Sequence, residues 1–294
     1  MKLLLKAKEY DLILKVFEKR GIARVLDTAV QDIVELFEQI PLEVKYRYPI
    51  GYLTYANFYL PRVDMEGGNR LLSEIERYYQ NNRLTPSSMK KQIAGEAELI
   101  RMFLYFNDMS KMMTSAMKAH AMLNGSSCIA NKDMMFNFGC PSQLYLYYRK
   151  KGDMLGLVEF AENNYRYYEE LSGGCGKGFE YLIRAEYQLE QGDLEQAELN
   201  ANKAIYKAET LEQVSIIICA SFTLARLYAA RDAFQEAARL LDKLTERLSP
   251  YNNPIFMDCL DLCYGYLGGI TGQPHSFAKW LKYGDMKPTE MFYQ

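Results

Sequence analysis

The segments AEYQLEQGD, at positions 185–193, and ARLYAARDA, at positions 225–233, are two copies of one pattern, and this pattern is the strongest indication of the fold. A looser copy, YLYYRKKGD, lies at positions 145–153. The shared marker positions, which follow one another at a constant interval, are Gly152, Gly192 and Asp232. A constant interval of this kind is typical of arrays of paired helices, in which each unit packs on its neighbours. The sequence therefore predicts a chain of repeated helix pairs.

The marker residues have a physical role at the ends of helices. A glycine supplies the left-handed turn that closes one helix, and an aspartate after it caps the next helix. Small residues then recur where two helices must approach closely. After Gly192-Asp193 and Asp232, these positions are Ala197, Ala201, Ala204, Ala237, Leu241 and Leu244.

The order of a small residue, an aromatic residue and a later alanine in the paired helix resembles the TPR signature, as in Ala225, Tyr228 and Ala237. The interval of about 40 residues exceeds the ~34 of a standard TPR, so we expect longer helices. We therefore predict an all-α fold, a TPR-like right-handed α-solenoid of antiparallel helix pairs with repeats of about 40 residues.

The repeat pattern weakens toward the N-terminus. Asn107-Asp108 predicts another corner between two helices, and Gly67-Gly68-Asn69 predicts a turn before a helix from Arg70 to Gln80. Two further helices are expected from Tyr10 to Lys19 and from Leu26 to Ile40, the second stopped by Pro41.

We expect a single helical-repeat domain over residues 1–294, with its best repeats between 140 and 250 and less regular helices between 9 and 60. Pro254 starts another helix, and residues Ser276 to Tyr283 predict a short amphipathic one. The chain then stops on apolar residues without a polar capping helix, which solenoids need. From this we expect the natural protein to be longer.

Charge and cysteine usage narrow the class of protein. Lys and Arg total 35 and Asp and Glu total 37, so the basic footprint of a nucleic-acid-binding domain is absent from the composition. The six cysteines form no tight disulfide pattern, and the longest apolar stretch, Val214–Ala225, is shorter than the ~20 residues that cross a bilayer. We expect a cytoplasmic protein with free thiols and no membrane partner.

Motifs for catalysis or cofactor binding are weak. Residues Ser172–Gly178 are rich in glycine but lack the first glycine and the final hydroxyl residue of a phosphate-binding loop, so we interpret them as a turn between repeats. Cys259 and Cys263 share one helix face, but His120 and His275 stand without paired ligands. We therefore expect no enzymatic activity, no cofactor and no metal.

The 24 tyrosines are unusual. They either fill gaps between long helices or line a concave surface, where tyrosine suits carbohydrates and peptides. In a TPR the first helix of each pair forms the inner wall, and the helical period from Ala185 and Ala225 gives its inward positions. The candidate groove residues are Ser142, Leu146, Arg149, Phe179, Leu182, Glu186, Phe222 and Arg226.

Charges of alternating sign would follow one another along this groove, namely Arg149, Glu186 and Arg226. In the alternative interpretation these three side chains are solvated or pair with each other. The occupant of the groove would be a small-molecule effector or a protein or peptide.

Several stretches along the chain together resemble one family. They are IPLE at 40–43, YP at 48–49, GYL at 51–53, FGCPS at 138–142, GKGFEY at 176–181 running into Ala185-Glu186 and Gly192-Asp193, and WLKYGD at 280–285. They resemble the central helical-repeat domain of LuxR-type transcriptional regulators of the MalT-like class. That resemblance implies a sensor and oligomerisation array from a protein that also carries an ATPase and a DNA-binding helix-turn-helix.

Neither a Walker A motif nor a basic recognition helix occurs in this sequence, so DNA would be contacted only through a helix-turn-helix absent from this chain. The alternative function is a free-standing TPR adaptor that binds peptides or partner proteins. The sequence leaves open whether copies of the chain form a homo-oligomer.

Overall fold

Helices account for the regular structure of this chain. The computed structural model describes residues 8–20, 30–251, 253–273 and 278–283, and no residue in these ranges lies in a β-strand. The prediction of an all-α fold is therefore confirmed, whereas the arrangement as a right-handed TPR-like solenoid stays a prediction. The start of the expected second helix and His275 lie outside the described residues.

Most helices are linked by short turns. In chain order they are α1 (Tyr10–Arg20), α2 (Val30–Gln39), α3 (Leu42–Lys45), α4 (Pro49–Arg62), α5 (Met65–Asn81), α6 (Ser87–Arg101), α7 (Met109–Leu123), α8 (Gln143–Tyr147), α9 (Met154–Asn164), α10 (Arg166–Leu171), α11 (Phe179–Glu190), α12 (Leu194–Glu209), α13 (Val214–Ala230), α14 (Phe234–Leu248), α15 (Pro254–Ile270) and α16 (Lys279–Tyr283). Single 3-10 turns follow α6 and α14, at Met102–Tyr105 and Ser249–Tyr251. None of the described helices is both long and apolar enough to cross a membrane.

The chain divides into two compact units. Unit 1 runs to Met134 and includes Tyr167–Gly173, and unit 2 consists of Met135–Arg166 and the chain from Gly174 onward. In unit 1, α4 packs against α1 and α5, and α6 packs against α7. The centre of its core is aromatic, with the Phe37 ring stacked on Tyr55 at 3.7 Å and the Phe17 ring edge-on to Phe37 at 4.8 Å.

The expected turn at Gly67-Gly68-Asn69 is wrong, because these residues lie inside α5. The helix begins earlier, where the Asp64 carboxylate caps it by accepting the Glu66 N–H at 3.0 Å. A Cβ on Gly68 would lie 2.6 Å from the Leu60 backbone. This glycine therefore serves the close approach of α4 and α5 and not a change of chain direction. By contrast, the corner at Asn107-Asp108 is confirmed, with Asn107 left-handed and Asp108 capping α7.

Unit 2 is built from helices that pack in chain order, α11 on α12, α12 on α13, α13 on α14 and α14 on α15. The first helices of the expected pairs also contact one another, α11 with α13 and α13 with α15. The positions predicted to be small or apolar are buried throughout, and Ala185, Ala201 and Ala225 have no exposed surface. Short side chains at these positions let the helix axes approach closely.

Left-handed residues follow α11, α12, α13 and α15 in unit 2 and close these helices. Gly192, Glu212, Asp232 and Gly272 all have φ between 55° and 78°. In each case the next residue donates its N–H to the carbonyl five residues earlier, for example Asp193 to Gln188 at 2.9 Å and Gln213 to Ala208 at 2.9 Å. This is the Schellman closure of a helix. The closure at Glu212, midway between Gly192 and Asp232, could not be predicted from the positions of glycines.

The capping aspartates behave differently from one another. Asp193 accepts the Gln196 N–H at 3.3 Å and caps α12, as predicted. Asp153 follows a left-handed Gly152, but its carboxylate pairs with Lys150 at 2.9 Å and makes no capping bond to α9. The Asp153 N–H also bonds to the Lys150 carbonyl and not to the carbonyl five residues earlier, so the looser first copy of the pattern differs from the others in its helix closure.

Candidate partner-binding site

A long connection without helix leads into unit 2. Between Leu123 and Gln143 all residues are described, and none of them is helical. Connections of this length inside a compact fold are uncommon and are usually functional. Its last part, Phe136–Ser142, is here called the strap.

The strap is buried although it is irregular. Phe136 and Phe138 are 6% and 8% exposed, and Asn137 is fully buried. Phe138 and Gly139 have left-handed φ values of 52° and 81°, and the Cys140 N–H closes this bend on the Asn137 carbonyl at 2.8 Å. A left-handed conformation is unfavourable for a bulky residue such as phenylalanine, so tertiary contacts must hold it.

Those contacts come from the first helices of the repeats. Three hydrogen bonds join the strap to α13 and α15. The Phe136 N–H donates to Ser215 Oγ (3.2 Å), Asn137 Nδ2 donates to Cys259 Sγ (3.4 Å), and the Cys219 thiol donates to the Cys140 carbonyl (3.5 Å). The Phe136 ring also packs edge-on against Phe179 of α11, with centroids 5.1 Å apart. Gly176 makes room for this ring, because a Cβ there would lie 2.8 Å from it.

Glu186 of α11 anchors the end of the strap. Its carboxylate accepts the Ser142 hydroxyl at 2.9 Å and the backbone N–H groups of Gln143 at 3.1 Å and Leu144 at 2.5 Å. These N–H groups belong to the first turn of α8, so Glu186 caps that helix from a neighbouring element. Complete burial raises the pKa of Glu186 to about 7, although these hydrogen bonds and the charge of Arg226 act in the opposite direction.

A second polar cluster contacts α8 through the Tyr145 hydroxyl. Arg226 of α13 pairs with Glu190 of α11 and donates to the Tyr145 hydroxyl at 3.0 Å, and that hydroxyl donates to Glu190 at 2.7 Å. The guanidinium also lies over the rings of Tyr145 and Phe222, 5.2 and 5.8 Å from their centroids. Burial alone would lower the pKa of Arg226, but the hydrogen bond and charge of Glu190 raise it above its ordinary value.

The predicted groove residues are mostly covered by the chain itself. Those that are buried are Ser142, Leu146, Phe179, Leu182, Glu186, Phe222 and Arg226, whereas Arg149 is exposed. The structure joins Ser142 to Glu186 and packs Phe222 against Arg226. Arg149 bonds instead to the carbonyls of its own turn, at Tyr145 and Tyr148.

The charges of Arg149, Glu186 and Arg226 therefore do not form a simple alternating row. Arg226 pairs with Glu190, and Glu186 accepts hydrogen bonds from the end of the strap and the start of α8. Binding of a ligand by these residues stays a prediction. The contributions of Glu190 and Ser215 were not anticipated from the sequence, although both positions continue the helical period of the predicted residues, Glu190 four residues after Glu186 and Ser215 seven residues before Phe222.

The cysteines in and beside the strap are poor nucleophiles. Burial raises the pKa of the Cys140 thiol to about 11 and moves those of Cys219 and Cys259 well above their ordinary value. Protonated thiols are weak nucleophiles and weak metal ligands. Within the described residues, no group of three or more His, Cys, Asp and Glu side chains is placed to hold a metal ion.

Unit 1 contains a similar arrangement, in which a buried glutamate of a helix accepts hydrogen bonds from a loop. The fully buried Glu96 of α6 accepts the Ser127 hydroxyl and the Cys128 N–H, both at 2.6 Å. Burial raises the pKa of this carboxyl as well. A nearby apolar cavity, lined by Asn57, Ile129 and Tyr168 among others, has a volume of about 10 Å³ and holds at most one water molecule. This cavity is too small for an effector.

Comparisons with known proteins found no match to this chain among family models, curated proteins or solved structures. Its function must be inferred from the chain's own geometry and from the sequence resemblance. The most distinctive feature of the site is the face of α11, α13 and α15, which holds the irregular strap through the buried side chains of Glu186, Ser215 and Cys259.

Proposed function

We propose that this chain is a ligand-sensing or protein-interaction helical-repeat domain of a LuxR-type, MalT-like transcriptional regulator. Its binding site is the face formed by α11, α13 and α15. The observation that carries the proposal is that side chains from three successive first helices, Glu186, Ser215 and Cys259, all hydrogen-bond to one irregular segment, the strap. Helical arrays recognise extended peptides on such faces.

The chemistry of this face favours a protein or peptide over a small effector. Its acceptors take main-chain N–H groups, from Phe136 of the strap and from Gln143 and Leu144 in the first turn of α8. Main-chain N–H donors are what a polypeptide offers and what a sugar or metabolite lacks.

The assignment to a transcriptional regulator is supported by the resemblance of the FGCPS and GKGFEY stretches and their neighbours to the MalT-like array. With a net charge of −2, the chain is suited to sensing and assembly and not to contacting DNA phosphates. A free-standing adaptor would use the same face, and the two functions differ in what the bound partner controls.

A thermal-shift screen tests the binding function. The chain is mixed with short peptides, sugars and metabolites, and the melting temperature is read by fluorescence. A ligand at 100 times its Kd raises the free energy of unfolding by about 2.7 kcal/mol. We expect hits among peptides; hits among sugars or metabolites alone would assign an effector sensor instead.

Charge-reversal variants localise the site. Arg149→Glu should weaken binding of any hit while leaving the helical circular-dichroism signal unchanged, because the Arg149 side chain is exposed and its charge acts on Cys140 of the strap. Arg239→Glu is the matched control, an exposed arginine on α14. Equal loss in both variants would mean that net charge alone is responsible. Absence of any hit, in the wild type and in a Ser142→Ala variant with a weakened strap, would contradict a binding role.

A further inference from the structure

We propose that Asn124 is a modification site, at which the side chain loses ammonia and becomes aspartate or isoaspartate without the help of an enzyme. Asn124-Gly125 is the only Asn-Gly pair in the sequence. Glycine has no side chain, so its backbone nitrogen can approach the preceding side chain more closely than that of any other residue. This inference is independent of the proposed binding function.

The structure leaves the Asn124 side chain accessible. The residue is exposed at the end of α7, and within the described part of the chain no hydrogen bond involves its amide group. The long connection without helix begins here, so the backbone after Asn124 can change direction without breaking the hydrogen bonds of a following helix. Solvent therefore reaches the amide group that the reaction must displace.

Asn131 and Asn202 are also exposed, but their surroundings differ from those of Asn124. Asn131 lies in the same connection, yet its Oδ1 accepts the Asp133 N–H at 3.0 Å and a lysine follows it. The side chain of Asn202, in α12, donates to the Glu198 carbonyl at 2.9 Å. At both positions a hydrogen bond holds the amide and the next residue carries a side chain, so we expect these asparagines to react slowly.

The reaction needs only water as a partner. The Gly125 nitrogen loses its proton to solvent and attacks Cγ of Asn124, which closes a five-membered ring. The bond from Cγ to the amide nitrogen breaks, and ammonia leaves with a proton from solvent. Water then opens the ring. Opening at the side-chain carbonyl gives aspartate, and opening at the main-chain carbonyl gives isoaspartate, whose main chain is one carbon longer.

The turn that ends α7 controls the rate of ring closure. Asn124 has a left-handed φ of 53°, and the Gly125 N–H donates to the His120 carbonyl at 3.1 Å, as in the helix closures of unit 2. The attacking nitrogen must give up this hydrogen bond together with its proton, so the turn has to open before the ring forms. We therefore expect Asn124 to react more slowly in the folded chain than in the unfolded chain.

Both products would weaken the end of α7. Aspartate places a negative charge at the C-terminal end of the helix, where the helix dipole disfavours it, and isoaspartate lengthens the main chain inside the turn. His120 lies beside Gly125, because a Cβ on this glycine would be 3.2 Å from His120 Nε2. The same nitrogen is 2.5 Å from Glu170 Oε2 of α10. We expect deamidation to loosen this contact between α7 and α10.

The test is peptide mapping by mass spectrometry after prolonged incubation of the folded chain at neutral pH. Trypsin releases residues 119–132 as one peptide, which contains both Asn124 and Asn131, so the two sites are compared within a single fragment. Brief digestion at mildly acidic pH limits reaction during the preparation. We expect at least about tenfold more deamidation at Asn124 than at Asn131. Unfolding in urea should speed the reaction at Asn124 at least about threefold.

Asn124→Gly is the control variant, since glycine accepts the left-handed turn and has no amide to lose. The acidic fraction in ion-exchange chromatography should grow more slowly for this variant than for the wild type, and equal growth would count against the site. Equal deamidation of Asn124 and Asn131, or no isoaspartate at position 124 when an isoaspartyl methyltransferase labels the chain, would overturn the inference. Equal rates in the folded and unfolded chain would overturn the role of the turn.

Discussion

The protonation of Glu186 should make the stability of this protein fall as pH rises through neutrality. Complete burial raises the pKa of this carboxyl in the folded chain from its ordinary 4.5 to about 7. The folded state therefore binds the proton more tightly than the unfolded state does. The stabilisation is fully present below about pH 4.5 and is lost as pH rises through about 7.

The magnitude follows from the pKa difference. Each pKa unit corresponds to about 1.36 kcal/mol, so the change from 4.5 to about 7 corresponds to roughly 3 kcal/mol between pH 4.5 and pH 8. Glu186 has no exposed surface, so screening by solvent does not reduce this figure. The effect is a large fraction of the roughly 5–15 kcal/mol that typically separates folded from unfolded domains.

The assay is equilibrium urea unfolding at several values between pH 5 and pH 8, on the wild type and on Glu186→Gln. Glutamine keeps the shape of the side chain but cannot titrate, so the pH dependence of the difference belongs to Glu186. The other titrating groups, including the buried Glu96, cancel in that difference. We expect the wild type to lose roughly 2 to 3 kcal/mol relative to the variant across this range. A flat difference, or one that grows in favour of the wild type with pH, would contradict this account of Glu186.

Further predictions concern backbone geometry, packing and thiol exposure. Glu212→Gly should stabilise the chain by about 0.5–1 kcal/mol in urea unfolding, because glycine adopts the left-handed φ of 55° without strain; no gain would mean that the turn is not strained. Gly68→Ala should destabilise the folded chain by about 1–3 kcal/mol, because its new methyl group clashes with the Leu60 backbone. Gly156→Ala should not, because there the methyl group meets only the movable Asp153 carboxylate. Equal effects of the two substitutions on thermal unfolding would count against the packing argument. With a thiol reagent, the exposed Cys128 should react in the native chain and the four buried cysteines only after unfolding, and rapid native labelling of more than two thiols would contradict the assigned burial.

Local signals in the sequence were sufficient for the helices and many of their turns. The left-handed conformations at Gly152 and Gly192, the cap at Asp193 and the fully buried Ala201 were all predicted, because each depends on a few neighbouring residues. Helix closure and helix approach are decided within one or two turns of chain, so they leave a readable pattern.

Features without such a pattern were missed or misread. Glu212 closes α12 in a conformation that its side chain does not favour, and the Schellman bonds on either side hold it there. The residue types of Gly67-Gly68-Asn69 are typical of a turn, yet the segment lies within α5. The neighbouring helix α4 approaches too closely at Gly68 for any side chain there. Tertiary packing outweighed local propensity at these positions.

The order of residues in the chain determines the helical class and the constant interval between the repeat markers. It also indicates the face on which polar residues of the first helices should gather. Three features could be seen only in the folded molecule: the strap covers this face, Glu186 caps α8 from a distant part of the chain, and Arg226 pairs with Glu190. The physical reason is that helix formation depends on neighbours in the chain. Burial of a charge depends instead on partners brought together by folding, and their identity leaves no local mark in the sequence.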